Sequence, residues 1–145
     1  MSIQKEMLST TQDVVAFNPT AISSDTNTDS SIVIDIFNYT ALTFRVFCTA
    51  YAAGDATPYI KLSNDITFAT GVTTLTDADF NVLQDSSPVV NKLGFASAKL
   101  SAANELKRFG IVPENKRYLK IGFTTANSAD LSVMALLEGQ LANVL

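Results

Sequence analysis

The chain has 145 residues, 47% of them hydrophobic, and a formal net charge of −4. A chain of this size folds as one domain by default and buries roughly two-thirds of its unfolded surface. It holds no histidine and one cysteine, so it cannot by itself build a Ser-His-Asp or Cys-His centre, a histidine-ligated zinc site or an internal disulfide.

Met1 to Asn18 reads as an extended N-terminal arm. Ile3, Met7 and Leu8 stand there among polar residues, no helical stripe continues, and Asn18-Pro19 marks a break. The start lacks the apolar stretch of a signal peptide and no apolar run approaches membrane-span length, which predicts a soluble chain in a reducing cytoplasm. Residues 19–145 read as a single β-domain. Val14 to Phe17 forms a short candidate strand, and Ser23 to Ser30 is a loop of turn formers. Asp25, Asn27 and Asp29 imitate the opening of a calcium loop. Ser30 stands where that loop needs glycine and Ile36 where it needs glutamate, so Asx turns account for these residues and no metal or cofactor is expected.

Ile32, Ile34 and Ile36 share one face of the next strand, with Val33, Asp35 and Phe37 on a second, partly covered face. Asn38-Tyr39-Thr40 is a turn. From Leu42 to Tyr51 the alternation is longest: Leu42, Phe44, Val46, Cys48 and Ala50 face in, and Thr43, Arg45, Phe47, Thr49 and Tyr51 face out. Cys48 is therefore read as a buried, unreactive thiol. Phe47 and Tyr51 on the outer face suggest a neighbouring subunit, with ordinary packing as the competing reading. Ala53 to Pro58 is expected to end that strand in a loop. Tyr59 to Ser63 restarts it, Ile66 to Thr76 suits an exposed edge, and 80–83 and 89–90 are short strand candidates. Ala96 to Arg108 is the one stretch of helical composition. Tyr118 to Thr125 and Leu131 to Glu138 alternate, and Ala126 to Asp130 between them predicts a hairpin connection.

Short strands joined by Gly, Pro, Asn and Asp turns argue an all-β antiparallel sandwich, and eight candidate strands suit a jelly roll. Residues 1–90 hold ten acids against three bases, and residues 91–145 four against seven. The basic end lacks the dense, aromatic-interleaved patch of a nucleic-acid site. Strand-edge gatekeeping accounts for it, and complementarity to an acidic neighbour is the alternative.

The opening Ile3-Gln4-Lys5-Glu6-Met7-Leu8, the segment Ile60-Lys61-Leu62-Ser63-Asn64-Asp65, the stretch Val112 to Ile121 with its Lys116-Arg117-Tyr118, and the closing Leu131 to Leu137 together resemble the small jelly-roll capsid cement (decoration) proteins of tailed bacteriophages. The resemblance implies a structural virion protein, not an enzyme. It would be made in the host cytoplasm and seated on the outer capsid surface as a homotrimer that bridges copies of the major capsid protein, with no direct contact to nucleic acid or membrane. No catalytic residue comes with it. Interface candidates are Ile3, Met7, Leu8, Phe47, Tyr51 and Arg117. Two rivals remain: a carbohydrate-binding β-sandwich, which the absence of tryptophan disfavours, and a carboxylate glycosidase, for which Asp77 and Asp79 are the nearest acid pair.

Overall fold

The computed structural model describes residues 11–85, 97–113 and 115–141. Those residues form an all-β antiparallel sandwich, as the alternation predicts. Its strands are β1 (Thr11–Ile22), β2 (Asn27–Asp29), β3 (Ile34–Asp35), β4 (Tyr39–Ser63), β5 (Thr73–Leu75), β6 (Asn81–Asp85), β7 (Leu106–Ile111) and β8 (Tyr118–Leu141). The order along the sheet is β1-β8-β4-β7-β6, with β2 and β3 also on β8 and β5 also on β4.

Two strands are far longer than a layer needs. β4 and β8 pair from Tyr39↔Leu141 through Ser63↔Tyr118, interrupted by irregularities between 48 and 55. Beside β8, β1, β2 and β3 follow one another, from Thr11↔Gln140 to Asp35↔Tyr118. This sheet folds over on itself. Phe17 lies opposite Ala135, twelve residues from Phe123 along β8, a span of about 40 Å in a straight strand. Yet the Phe17 and Phe123 rings meet edge to face with centroids 5.0 Å apart. The Ser30 hydroxyl, beyond β2, donates to the Ala16 carbonyl on β1 at 2.7 Å.

The fold line is a corner built from both long strands. Gly54 takes φ +78°, and Asn127 and Ser128 take φ +62° and +58°, left-handed conformations that a regular strand never needs. A Cβ on Gly54 would stand 2.5 Å from the Ala129 Cα, so no other residue fits there. Such bulged corners let a strand pass from one layer into the next. The loops expected at 53–58 and 126–130 are thus two halves of one corner, and each strand continues through it. Asp25 caps the corner by accepting from the Ala129 N–H at 2.9 Å, and Asn127 donates to the buried Asp55 carboxylate.

Because the corner preserves side-chain parity, the same face of each strand turns inward on both sides of it. Leu42, Phe44, Val46 and Cys48 join Ala56, Ile60 and Leu62 in one core with Leu119, Ile121, Phe123, Leu131, Val133 and Leu137. Phe80, Phe109 and Phe44 stack through it at centroid spacings of 4.2 and 5.5 Å. Leu100 closes the floor through a two-way backbone bridge to Ala56.

Four further expectations need correction. The arm does not extend to residue 18: from Thr11 the chain is an edge strand, with Ala16 and Phe17 buried and Pro19 accommodated where the register slips. Ala50 is exposed, because the bulge after Cys48 turns it out. Within the helix-like stretch, residues 97–105 are loop and 106–108 are strand: tertiary pairing overrides the Ala-Leu-Lys propensity. The second face at 33–37 is open, with Phe37 74% exposed. The strand candidate at 89–90 lies outside the described residues.

Candidate interaction surfaces

The corner and the double layer divide the surface into three regions that bear on function. The first is the outer face of the five-stranded layer. Register places Val15, Leu136, Arg45 and Arg108 in one row across β1, β8, β4 and β7, and Met134, Phe47 and Leu106 in the next. Arg45 and Arg108 lie directly opposite one another, a repulsive pairing that Glu138 offsets by taking both guanidinium groups: Arg108 Nη2 at 2.9 Å, and Arg45 through its Nε. Around this ionic trio sit five apolar side chains, Val15 being 40% exposed and the other four half-buried. A solvent-facing sheet surface ordinarily alternates to polar residues here.

The second region is the end of the sandwich away from the corner. Segments 31–38, 64–72 and 115–117 are tied together there. The Ile36 N–H donates to the Arg117 carbonyl at 2.8 Å, the Arg117 N–H to Asn64 Oδ1 at 3.0 Å, and Lys116 Nζ to the Gly71 carbonyl at 3.3 Å. Arg117 stands among aromatic rings, its guanidinium 5.6 Å from the Phe37 centroid and 5.3 Å from that of Tyr118. Asp35 holds it in place, accepting from Nη2 at 2.9 Å and Nε at 3.2 Å. Those Arg117 bonds, followed by the Phe37 backbone N–H, keep the Asp35 carboxyl below its ordinary value.

The third region is a shallow polar cleft on the outer face of the narrower layer, lined by Asn27, Asp29, Tyr59, Lys61, Thr74, Thr76 and Thr124. Asp29 organises it. Tyr59 donates its hydroxyl to Oδ1, and Lys61 and Lys120 approach Oδ2 at 3.0 and 3.4 Å. Burial works to raise the Asp29 carboxyl, but the Tyr59 and lysine contacts outweigh it and the net shift is downward. Burial, then the hydrogen bond to Asp29 and its charge, pushes the Tyr59 phenol well up. The Tyr59 ring lies over Gly122, its directly paired neighbour, covering the bare backbone.

The sequence-derived candidates scatter over this map. Phe47 is on the sheet face, Tyr51 is exposed at the corner opposite Leu131, and Arg117 is at the far end. Ile3, Met7 and Leu8 lie outside the described residues. Met134, Leu136, Leu106 and Phe37 are not among those candidates. The first two were legible as the off-phase residues of the 131–137 alternation, whereas Phe37 carried no local signal.

The residues of the calcium-like motif are separately engaged: Asp25 on the corner backbone, Asn27 on Thr124, Asp29 on Tyr59 and the lysines. Asp77 accepts from the Ala98 N–H at 2.7 Å and Asp79 from the Thr76 N–H at 2.8 Å, so each carboxylate serves a backbone donor. Cys48 is buried, and burial followed by the Glu105 charge raises its thiol. Among the described residues, no helix is long and apolar enough to cross a membrane.

No protein-family model matches the chain, and no curated protein matches it. Among solved structures it is similar to the SPBc2 prophage-derived protein YomS, with 10% identity over 88% of this chain and 92% of that one and a TM-score of 0.45. A likeness at that level assigns no function.

Proposed function

We propose that this chain is a structural virion protein that binds the outside of a phage head and cements the major capsid lattice, acting as a self-associated cluster, most simply a trimer. It is not an enzyme in this reading, uses no cofactor, and contacts neither nucleic acid nor membrane directly. The observation that carries the reading is the apolar outer face of the five-stranded layer. Val15, Leu136, Met134, Phe47 and Leu106 span four strands on a surface that water alone would keep polar. Copies joined through such a face multiply weak individual lattice contacts by avidity. The resemblance carried by 3–8, 60–65, 112–121 and 131–137 supplies the phage context.

The test is direct. Purified protein is added to phage heads assembled without it, and bound protein and head disruption temperature are measured beside sedimentation of the free protein. Binding with a raised disruption temperature is expected. A Phe47→Asp variant, folded by circular dichroism, should sediment as a smaller species. Wild-type protein that sediments as a monomer at high micromolar concentration and leaves heads bare sinks the proposal. The Asp29 cleft favours one second reading, a carbohydrate-binding module, because its hydroxyls, carboxylate and amines suit sugar hydroxyls. Glycan-array binding without head binding would select it.

A further inference from the structure

The Asp29 cleft is braced from outside its own lining. Lys61 and Lys120 stand directly opposite one another on β4 and β8, with Thr74 beside Lys61 on β5. Both ammonium groups meet the same Asp29 oxygen, at 3.0 and 3.4 Å. Lys120 Nζ also lies 4.7 Å from the centroid of the Phe68 ring. Phe68 takes φ +56°, a left-handed conformation that a bulky residue ordinarily avoids. It is half-buried and is not part of the hydrophobic core. Asp65 ties off the loop around it, its carboxylate accepting from the N–H groups of Thr67 and Ala69 and from the hydroxyls of Thr67 and Thr70. The Asp65 carbonyl takes the Phe68 N–H at 2.9 Å. Strain of this kind persists where the surroundings over-determine it, and it gathers at ligand sites. Here it sets a ring against Lys120, whose flexible stem is otherwise free to sweep through solvent.

We infer that this cleft binds an uncharged saccharide through two neighbouring hydroxyls, with Asp29, Lys61 and Lys120 as the contacting groups and Phe68 as a positioning residue. Charge decides against an ion. Lys61 and Lys120 face Asp29 and, beyond the Thr76 wall, Asp79, which accepts from the Thr76 N–H and hydroxyl at 2.8 and 3.3 Å. Two cations against two carboxylates leave no surplus to hold a free ion. What remains is hydrogen-bonding capacity of both signs. Each ammonium has three donors and a carboxylate about four acceptor sites, more than Tyr59 and the two lysines use at Asp29. A sugar hydroxyl both donates and accepts, so one of a neighbouring pair donates to Asp29 while the other accepts from a lysine. Thr74 and the Asn27 amide, whose oxygen already takes the Thr124 hydroxyl, stand at the rim to fix orientation. The groups are ordered beforehand, because Tyr59 packs over Gly122 and bonds Asp29 while Phe68 holds Lys120, so little freedom is lost on binding. The cleft and the apolar face lie on the outer faces of different layers, so self-association leaves the cleft open. The inference rests on the carbohydrate reading of this cleft given above, and adds the class of sugar, the role of Phe68 and compatibility with assembly.

The experiment applies wild-type protein to an array of neutral and acidic oligosaccharides. The strongest neutral one is then titrated by calorimetry into wild type, Lys61→Gln, Phe68→Gly and Phe68→Tyr. Lys61→Gln removes a charged donor and should weaken binding at least about tenfold. Phe68→Gly should fold, because glycine takes the left-handed φ freely, yet bind less tightly, and Phe68→Tyr should keep the wild-type affinity. Hydrogen exchange at 64–70 and 118–124 of the wild type should slow with the sugar bound, a readout that stands even if a variant misfolds. Affinity should not change with salt, and the sedimentation coefficient should be the same with and without sugar. Preference for acidic sugars, or affinity that falls as salt is raised, marks an anion site and overturns the inference. Equal binding by the folded variants, or unchanged exchange at those segments, puts the sugar elsewhere: it overturns the inference and leaves the carbohydrate reading standing. Dissociation of the oligomer by the sugar would place the site in the self-association surface and also overturn it. Silence across the whole array overturns the inference and the carbohydrate reading together.

Discussion

Gly122→Ala is the sharpest probe of the packing that shapes the polar cleft. Gly122 keeps an ordinary strand conformation, so the backbone itself tolerates alanine, and on entropy alone the change would stabilise by about 0.5–1 kcal/mol. The Tyr59 ring decides otherwise. A Cβ at 122 would lie 2.2 Å from the Tyr59 Cζ and 2.3 Å from its hydroxyl oxygen. That ring is 8% exposed and is held by the bond to Asp29, so it cannot simply swing into water. Overpacking costs about 1–3 kcal/mol, and pulling the phenol off a carboxylate costs about 1.5–3 kcal/mol more. The expected net loss is roughly 1.5–5.5 kcal/mol, or about 5–16 °C for a chain this long. Urea denaturation of wild type, Gly122→Ala, Tyr59→Ala and the double variant forms a closed cycle. In the Tyr59→Ala background the glycine substitution should become neutral or stabilising. A Gly122→Ala protein as stable as wild type, or one whose loss persists without the Tyr59 ring, refutes the reasoning.

Acid stability follows from Asp29. Its folded carboxyl lies below the unfolded value near 3.8, so its contribution is complete above that value and disappears as pH falls through the folded one. Asp29→Asn should therefore lower the urea midpoint at pH 6, and the gap from wild type should close below about pH 4; a gap independent of pH refutes the assignment. Cys48 should react with a thiol reagent orders of magnitude more slowly in folded protein than in urea, because burial both blocks it and raises its thiol. Equal rates in the two states would place it at the surface.

The strands were legible wherever alternation was driven by burial on one side. Leu42, Phe44, Val46 and Cys48, and Leu119, Ile121 and Phe123, all face the core as their spacing implies. What the sequence hid was the meaning of its breaks. Gly54 and the Ala126 to Asp130 run carry turn chemistry, and turn chemistry normally ends a strand. Here the two breaks lie opposite one another on paired strands, so the chain bends without reversing, and only the pairing tells a corner from a hairpin. Exposure was hidden for a related reason. Phe37 follows Ile36 by one position, and a buried Ile36 says nothing about whether the other side of the strand is covered. Phe47 and Arg117 were readable as exposed aromatic and basic residues, but their neighbours Leu106 and Phe37 come from distant segments that only the register brings alongside.

The corner also sets the two ends of the sandwich apart. At the corner the two layers are joined by the unbroken backbones of β4 and β8 and by the side-chain caps of Asp25 and Asn127, so that end cannot splay. Away from the corner the layers are joined by the connections from Asp35 to Tyr39, from Leu75 to Asn81 and from Ile111 to Tyr118. Left-handed residues fix the turns at both ends, Gly54, Asn127 and Ser128 at the corner and Phe68, Gly71 and Asn115 at the open end. The corner carries one large exposed apolar side chain, Tyr51. The open end carries Val33, Phe37, Ile66, Val72 and Val112, with Arg117 ordered beside Phe37 by its ion pair with Asp35. Folding one sheet over itself thus makes the two ends unlike: a corner closed by continuous backbone, and an open end that carries five of the seven large exposed apolar side chains among the described residues.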